Sequence, residues 1–239
     1  MSPTEPVWWD ADLLLGRDPA TTARVSEDDL AAWLAQEDLG GGVLGSQRAI
    51  HFDAASGNAE VREVAARLGL VPALTLETRD WLGARDHLAA APKGTVVRLA
   101  PQRQDCQPTH PGFRAIVGAA VERGFTIFCE GDVRVWGPAF AGRGARVVFL
   151  DAHFYHLGDL VALTAEEPGF HASTRLLNGP DSLALVIAEL GVERLVFGSR
   201  VGFHEAASAV LRLTSAGLDP ASLAAIAGGN LRRLLGVEA

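Results

Sequence analysis

Short apolar runs alternate with longer amphipathic segments along most of the chain. The uninterrupted run Val147-Val148-Phe149-Leu150 is typical of a parallel strand, because such a strand is buried on both faces of its sheet. The same pattern predicts eight strands, at residues 7–15, 42–46, 70–77, 95–100, 125–130, 146–151, 170–176 and 194–199.

Amphipathic periodicity between these runs predicts helices. Val61, Val64 and Leu68 fall on one face of a helix over residues 58–68, and Gly69 ends it. Further helices are predicted after the capping residue Ser26 and at residues 81–91, 113–123 and 181–190.

Strand–helix alternation repeated eight times predicts an α/β protein whose residues 1–239 form a single (β/α)8 TIM barrel. An open doubly wound sheet is the alternative. No Gly-x-Gly-x-x-Gly follows the first strand, as it would in a dinucleotide-binding sheet of that kind.

Composition narrows the class of protein. The chain has 239 residues, 48% of them hydrophobic, with a net charge of −8 and a pI of about 5.3, which argues against nucleic-acid binding. No apolar run approaches the roughly 20 residues that span a membrane. The start lacks the basic and apolar regions of a secretory signal, so we expect a cytoplasmic protein with Cys106 and Cys129 as free thiols.

Two segments late in the sequence carry a specific pattern: Arg194-Leu195-Val196-Phe197-Gly198-Ser199-Arg200, and Gly228-Gly229-Asn230-Leu231-Arg232-Arg233-Leu234-Leu235-Gly236. Together they resemble the end of the amidohydrolase superfamily, in the branch of the aminocarboxymuconate semialdehyde decarboxylases. The run Val97-Arg98-Leu99-Ala100-Pro101 is similar to the fourth strand of that family. The resemblance implies a barrel of the metal-dependent hydrolase type, acting as a hydrolase or a decarboxylase.

The metal ligands that the resemblance implies are mostly replaced. The family frame Asp-x-His-x-His-x-Gly, aligned on residues 10–16, has Asp12 and Leu14 at the two histidine positions. Glu130 stands at the histidine of strand five. Asp151 stands at the histidine of strand six, or His153 does if the register shifts by two residues. Arg200 replaces the aspartate that usually follows Phe-Gly-Ser.

These replacements lead to the hypothesis of a metal-free site without a cofactor. Carboxylates that converge at strand ends must be neutralised, and arginine is permanently charged. We therefore expect Arg200 to occupy the space of the metal and to pair with Asp12, Glu130 or both. The alternative is an oxygen-rich Mg²⁺ or Mn²⁺ site at Asp12, Glu130, Asp151 and His153, which the nearby Arg200 would disfavour.

Arginines form a second group near the strand ends. Arg98 and Arg175, with His204, are predicted to bind a small anionic molecule, since barrels often bind phosphate after strands seven and eight. In the alternative interpretation the arginines pair only with the carboxylates Asp12, Glu130, Asp132 and Asp151.

Three functions are compatible with these residues. The first is a diverged hydrolase or decarboxylase of a small anionic substrate, in which Asp12, Glu130, Asp151 and His153 exchange protons and Arg200 stabilises negative charge. The second is a non-catalytic barrel that binds a small anion or a protein partner. The third is an unrelated barrel enzyme with a phosphate site. We expect neither a nucleic-acid nor a membrane partner, and a homo-oligomer is left open.

Overall fold

A nine-strand sheet organises the computed structural model, which describes residues 6–36 and 39–237. The strands run in the spatial order β2-β1-β3-β4-β5-β6-β7-β8-β9. Their bounds are β1 Trp8–Arg17, β2 Arg24–Val25, β3 Leu39–Ser46, β4 Val71–Thr75, β5 Val96–Leu99, β6 Thr126–Cys129, β7 Arg146–Phe149, β8 Phe170–Ser173 and β9 Leu195–Val196. All neighbours pair in parallel except β2, which forms an antiparallel hairpin with β1.

Each of the eight predicted strands is confirmed, although most end earlier than expected. Strands β6 and β7 stop before Glu130 and Asp151, and single bonds from Glu130 N to Leu99 O and from Leu150 N to Cys129 O, both 2.9 Å, extend the pairing by one residue. Strand β2 was not predicted, because two residues are too few to show an alternating pattern.

Helices follow the strands of the parallel sheet. Their bounds are α1 Glu27–Gln36, α2 Gln47–His51, α3 Ala54–Leu68, α4 Trp81–Ala90, α5 Pro111–Glu122, α6 Val133–Trp136, α7 Leu157–Ala165, α8 Ser182–Leu190, α9 Ala206–Thr214, α10 Pro220–Ala224 and α11 Asn230–Leu235. Short 3-10 turns occupy Gly137–Ala139, Phe154–His156, Thr174–Leu176 and Val192–Arg194, and a π-helical turn occupies Ala225–Gly229.

Helix ends agree with the sequence signals. The Ser26 hydroxyl accepts the amide of Asp29, and the Asp29 carboxylate accepts the amide of Ser26, so α1 begins with a reciprocal cap. Helix α3 begins four residues earlier than predicted, because Asp53 caps it by accepting the amides of Ala55 and Ser56. It ends as predicted at Gly69, whose φ of 69° is left-handed.

The sheet curls so that its far end returns to β1. Ala11 N donates a 2.9 Å hydrogen bond to Phe197 O, just after β9, and the Trp8 and Phe197 rings meet edge to face with centroids 4.8 Å apart. The structure is therefore an α/β fold built on a mostly parallel, curled sheet. Full closure into a (β/α)8 barrel remains a prediction.

Alternation along the strands separates two apolar layers. The inner layer contains Ala11, Val43, Ala73, Val96, Phe128, Val148 and Val196. The outer layer packs against the helices and contains Val97, Leu99, Ile127, Cys129, Val147 and Phe149, with Phe113 and Ile116 of α5. Both cysteines are buried and free, and Cys129 faces the outer layer, as alternation predicts. Among the described helices, none is long and apolar enough to cross a membrane.

Candidate functional site

Asp12 reaches the inside of the sheet through an irregularity in β1. The pairing of β1 with β3 shifts between Asp10 and Leu13, where three residues of β1 advance against two of β3. A bulge of this kind adds one residue to a strand and re-aims the side chains around it. Ala11 and Asp12 therefore both lie on the inner side of the sheet, and the Asp12 carboxylate is fully buried.

Arg98 of β5 lies beside Asp12 at the centre of the site. Its Nη2 is 2.6 Å from Asp12 Oδ1 and 2.7 Å from Glu130 Oε1, and its Nε donates to Glu130 Oε1 at 2.9 Å. The side chain is 0% exposed. Gly45 of β3 makes the room for it, because a Cβ at that position would stand 2.8 Å from Arg98 Cδ.

Glu130 and Arg200 complete the contacts around Arg98. Arg200 Nε donates to Asp12 Oδ2 at 2.9 Å, and Arg200 Nη2 lies 3.3 Å from Glu130 Oε2. Arg103 Nε lies 2.9 Å from the same Glu130 oxygen, at ion-pair distance. Arg200 therefore pairs with both Asp12 and Glu130.

Arg200 holds an unusual backbone conformation for its residue type. Its φ is 56°, in the left-handed region that arginine rarely adopts. Aspartate, which the family pattern carries there, adopts that region more readily. The ion pairs of Arg200 offset this backbone cost.

Asp151 and Arg175 form the outer edge of the same group. Arg175 Nη2 contacts Asp151 Oδ1, and Arg175 Nε lies 3.2 Å from Asp12 Oδ2. The second oxygen of Asp151 accepts the Gly131 amide at 2.7 Å. We call the set of Asp12, Glu130, Asp151, Arg98, Arg103, Arg175 and Arg200 the charge cluster.

The arginines keep the buried carboxylates ionised. Burial alone raises the pKa of Asp12, but Arg200, Arg98 and Arg175 outweigh burial and hold that pKa below its usual value. Burial also raises the pKa of Glu130, but Arg200 and Arg98 outweigh burial and lower that pKa to about 2. Burial lowers the pKa of Arg200, and the three carboxylates outweigh it and raise that pKa. These groups are therefore charged at neutral pH.

Asp10 is the exception among the buried acids near the cluster. Burial raises its pKa to about 6, and hydrogen bonds from Ser199 and from the Asp12 amide only partly counter this. Both Ser199 N and its hydroxyl contact the Asp10 carboxylate, which ties β1 to the segment after β9. Asp10 thus joins the two edges of the curled sheet. It titrates closer to neutral pH than an ordinary aspartate does.

The structure brings most of the predicted site residues together. Asp12, Glu130, Asp151, Arg98, Arg175 and Arg200 all belong to the charge cluster, so Asp151 rather than His153 takes the end of β7. His153 lies outside: its ring accepts the Tyr155 amide at 3.2 Å and stacks on the Tyr155 ring. Asp132 pairs with Arg134 instead of a cluster arginine. Leu14 is fully buried beside Ile50 and Ala100.

His204 lies beside the cluster at the ends of β8 and β9. It lines a cavity of about 170 Å³ together with Arg175, Asn178, Ser199 and Arg212, which we call the strand-end cavity. Burial lowers the pKa of His204, and Arg175 and Arg200 lower it further, so the imidazole is mainly neutral at pH 7.

Arg103 and Asp18 were not predicted as site residues from the sequence. Arg103 lies in the turn after β5 and links Glu130 to Asp18, whose Oδ2 is 3.3 Å from Arg103 Nη1. Neither residue falls within a motif or a periodic segment. Only the folded loops bring the two residues to the cluster. The loop over residues 101–111 was predicted, and its charged residues were the available signal.

Guanidinium groups surround the carboxylates that stand at the ligand positions of the cluster. Each carboxylate that stands at a ligand position already has a guanidinium group within 4 Å, and a dication would have to displace these permanent charges. Within residues 6–36 and 39–237, no three His, Cys, Asp or Glu side chains are arranged to hold an ion.

Comparison with known proteins identifies the fold. No protein-family profile matches the sequence, and no curated protein shows significant sequence similarity. A 2,6-dihydroxybenzoate decarboxylase from Rhizobium matches with a TM-score of 0.76 at 12% identity, over 98% of this chain and 99% of its own. A proposed 2-pyrone-4,6-dicarboxylic acid hydrolase from Pseudomonas putida matches with a TM-score of 0.71 at 18% identity, over 99% of this chain and 100% of its own.

A third structure supports the same assignment. An uncharacterised TIM-barrel protein from Bordetella bronchiseptica matches with a TM-score of 0.76 at 13% identity, over 96% of this chain and 98% of its own. Identities this low establish the fold alone. The chain therefore shares the fold of these decarboxylase, hydrolase and TIM-barrel structures, in agreement with the amidohydrolase-type fold that its C-terminal motifs predict.

Proposed function

We propose that this protein is a metal-independent barrel of the amidohydrolase type that binds a small carboxylate or another small anion at the ends of β8 and β9. The parallel strands, their order and the bond between Ala11 and Phe197 support closure of the sheet as a (β/α)8 barrel. Binding without catalysis is the function that the geometry supports best.

One observation carries the metal-independent part of the proposal. Asp12, at the position of the first family histidine, meets three guanidinium groups, with Arg98 Nη2 at 2.6 Å, Arg200 Nε at 2.9 Å and Arg175 Nε at 3.2 Å. An arginine cannot release its proton at any pH a protein tolerates, so it cannot make way for a metal as a protonated histidine can. The cluster also makes Asp12 a poor general base, because its pKa is lowered.

The strand-end cavity supports anion binding. Arg212 donates one hydrogen bond to Arg175 O at 3.2 Å, while its Nε is buried without a partner among the described residues. None of the described carboxylates lies within ion-pair distance of Arg212. A carboxylate or a phosphate would satisfy this donor, at the strand ends where barrels often bind phosphate. Two of the structural neighbours are named for carboxylate-bearing molecules, which favours a carboxylate.

A hydrolase or decarboxylase acting in the same cavity is the second candidate. The observation that favours it is His204, which is exposed at the cavity and neutral at pH 7, and so able to accept a proton. The acid–base roles of Asp151 and His153, a homo-oligomeric state and a cytoplasmic location remain predictions.

Anion binding is tested with the Arg212→Gln variant. Wild-type protein titrated with benzoate, 2,6-dihydroxybenzoate and inorganic phosphate is expected to bind at least one of them saturably. Calorimetry is expected to show affinity at least about tenfold weaker in the variant, since one charge-assisted contact contributes about 1.5 kcal/mol or more. Arg114→Gln, an exposed arginine of α5, is the matched control and is expected to bind as wild type does.

Two results would change this assignment. Equal affinity in wild type and Arg212→Gln, or no saturable binding of any of the three anions, contradicts the site. Turnover of a bound carboxylate, followed by NMR and lost in His204→Gln, would establish the second candidate instead.

Metal independence has its own measurement. Purified wild-type protein is expected to contain less than one equivalent of any transition metal, and its melting temperature is expected to stay unchanged with EDTA, Zn²⁺ or Mn²⁺. The physical reason is that guanidinium groups already pair with the carboxylates, so no free carboxylate is left to bind a metal ion. A stoichiometric metal that raises the melting temperature would refute this part of the proposal.

A further inference from the structure

A second cavity lies on another part of the surface, between the β1–β2 hairpin, α2 and the start of α3. Its volume is about 410 Å³, and it is lined in part by Arg17, Arg24, Arg48, Phe52, Asp53 and Glu60. None of these residues belongs to the charge cluster or to the strand-end cavity. We call it the hairpin cavity.

Two of its arginines face each other across the hairpin. Arg17 of β1 is the register partner of Arg24 of β2, and both side chains line the cavity. Like charges directly opposite each other in an antiparallel pair are destabilising. The fold therefore places two positive charges side by side at the edge of a cavity, at a cost to its own stability.

The carboxylates that could neutralise these arginines from inside the cavity are engaged elsewhere. Glu60 pairs with Arg48 at 3.3 Å. Asp53 accepts the amides of Ala55 and Ser56 as the cap of α3.

The nearby acids outside the cavity are also engaged. Asp18 accepts the Ala20 amide at 2.9 Å and pairs with Arg103. Glu27 forms an ion pair with two hydrogen bonds to Arg67. Asp29 accepts a hydrogen bond from the Ser26 hydroxyl and lies beyond ion-pair distance of Arg24. Across the part of the chain that the structure describes, Arg17 and Arg24 form no ion pair.

Phe52 supplies an apolar surface beside these charges. It is 71% exposed at the end of α2, where it lines the cavity instead of packing into the core. An exposed aromatic ring next to two arginines suits a ligand that carries a planar group and a compact negative charge together.

We propose that the hairpin cavity binds an aromatic phosphate monoester, with Arg17 and Arg24 holding the phosphate and Phe52 covering the ring. A phosphate monoester carries about −1.5 to −2 charges at pH 7, which matches two guanidinium groups better than the single charge of a carboxylate does. Guanidinium groups also form two-bond contacts with phosphate oxygens. The anion relieves the repulsion between the two arginines as it binds.

Phenyl phosphate is the probe that tests this site. Calorimetry at low salt is expected to show saturable binding by wild type, weakened at least about tenfold in Arg24→Gln and in Arg17→Gln. Phe52→Ala is expected to weaken phenyl phosphate while leaving inorganic phosphate unchanged. Without ligand, Arg24→Gln is expected to melt at a higher temperature than wild type, because the variant lacks the like-charge pair.

Matched variants separate this site from the strand-end cavity. Arg114→Gln, an exposed arginine of α5 outside both cavities, is the matched control and is expected to bind phenyl phosphate as wild type does. Absence of saturable binding by wild type overturns the proposal. So does wild-type affinity in both Arg17→Gln and Arg24→Gln, or a loss of binding that appears in Arg212→Gln and not in the hairpin variants.

Discussion

Replacing Arg98 with methionine is expected to lower the free energy of unfolding by about 3 kcal/mol. Arg98 is completely buried between Asp12 and Glu130, so its removal leaves two buried carboxylates that share the remaining arginines. Methionine has a similar length and leaves little cavity, which makes the loss mainly electrostatic. Urea unfolding at pH 7 measures the change.

Two controls establish the cause of that loss. Arg114→Met, on the exposed face of α5, is expected to change stability by less than about 0.5 kcal/mol. The double variant Arg98→Met with Glu130→Gln is expected to recover part of the loss, because it removes one of the uncompensated charges. A loss below about 1 kcal/mol for Arg98→Met would show that the central arginine does not hold the cluster together.

Acid is expected to destabilise the wild type through Glu130. Its pKa is 4.5 in the absence of the fold and about 2 in the folded protein, so between these values the unfolded chain binds more protons. The stability from Glu130 is therefore complete above pH 4.5 and is lost as the pH falls toward 2. The pKa difference corresponds to about 3 kcal/mol.

A pH series of urea unfolding curves distinguishes Glu130 from Asp10. Glu130→Gln is expected to reduce the slope of stability against pH between 2 and 4.5, by up to one proton. Asp10 acts in the opposite direction: its pKa is raised from 3.8 to about 6, so its contribution is present below 3.8 and is lost as the pH rises through 6. A slope unchanged by Glu130→Gln would mean that this carboxyl titrates alike in the folded and unfolded chain.

The two buried acids at the bulge in β1 show how the neighbours of a carboxyl group determine its pKa. Asp10 and Asp12 are two residues apart and equally buried, yet the pKa of Asp10 is raised and that of Asp12 is lowered. Asp12 faces three guanidinium groups, whereas Asp10 faces a hydroxyl and two amides. Hydrogen bonds from neutral donors offset burial only in part, and full positive charges outweigh it.

The local sequence determined the strands, the helix ends and the fold type. Continuous apolar runs such as 147–150, and stops such as Gly69, act over a few residues, so they can be recognised without knowledge of the remaining chain. The C-terminal motifs indicated the type of fold, and the replaced ligand positions on four strands identified Asp12, Glu130, Asp151 and Arg200 as one group.

Tertiary structure alone decided how the charges are shared. The sequence left Arg98 either to a ligand or to the neighbouring carboxylates, and the space beside Gly45 and the bulge in β1 place it between two carboxylates. Arg103 joins from a loop, and His153 turns away to stack on Tyr155. Such contacts join residues up to 188 positions apart, as for Arg200 and Asp12, and they depend on distances of a few ångströms that sequence patterns do not encode.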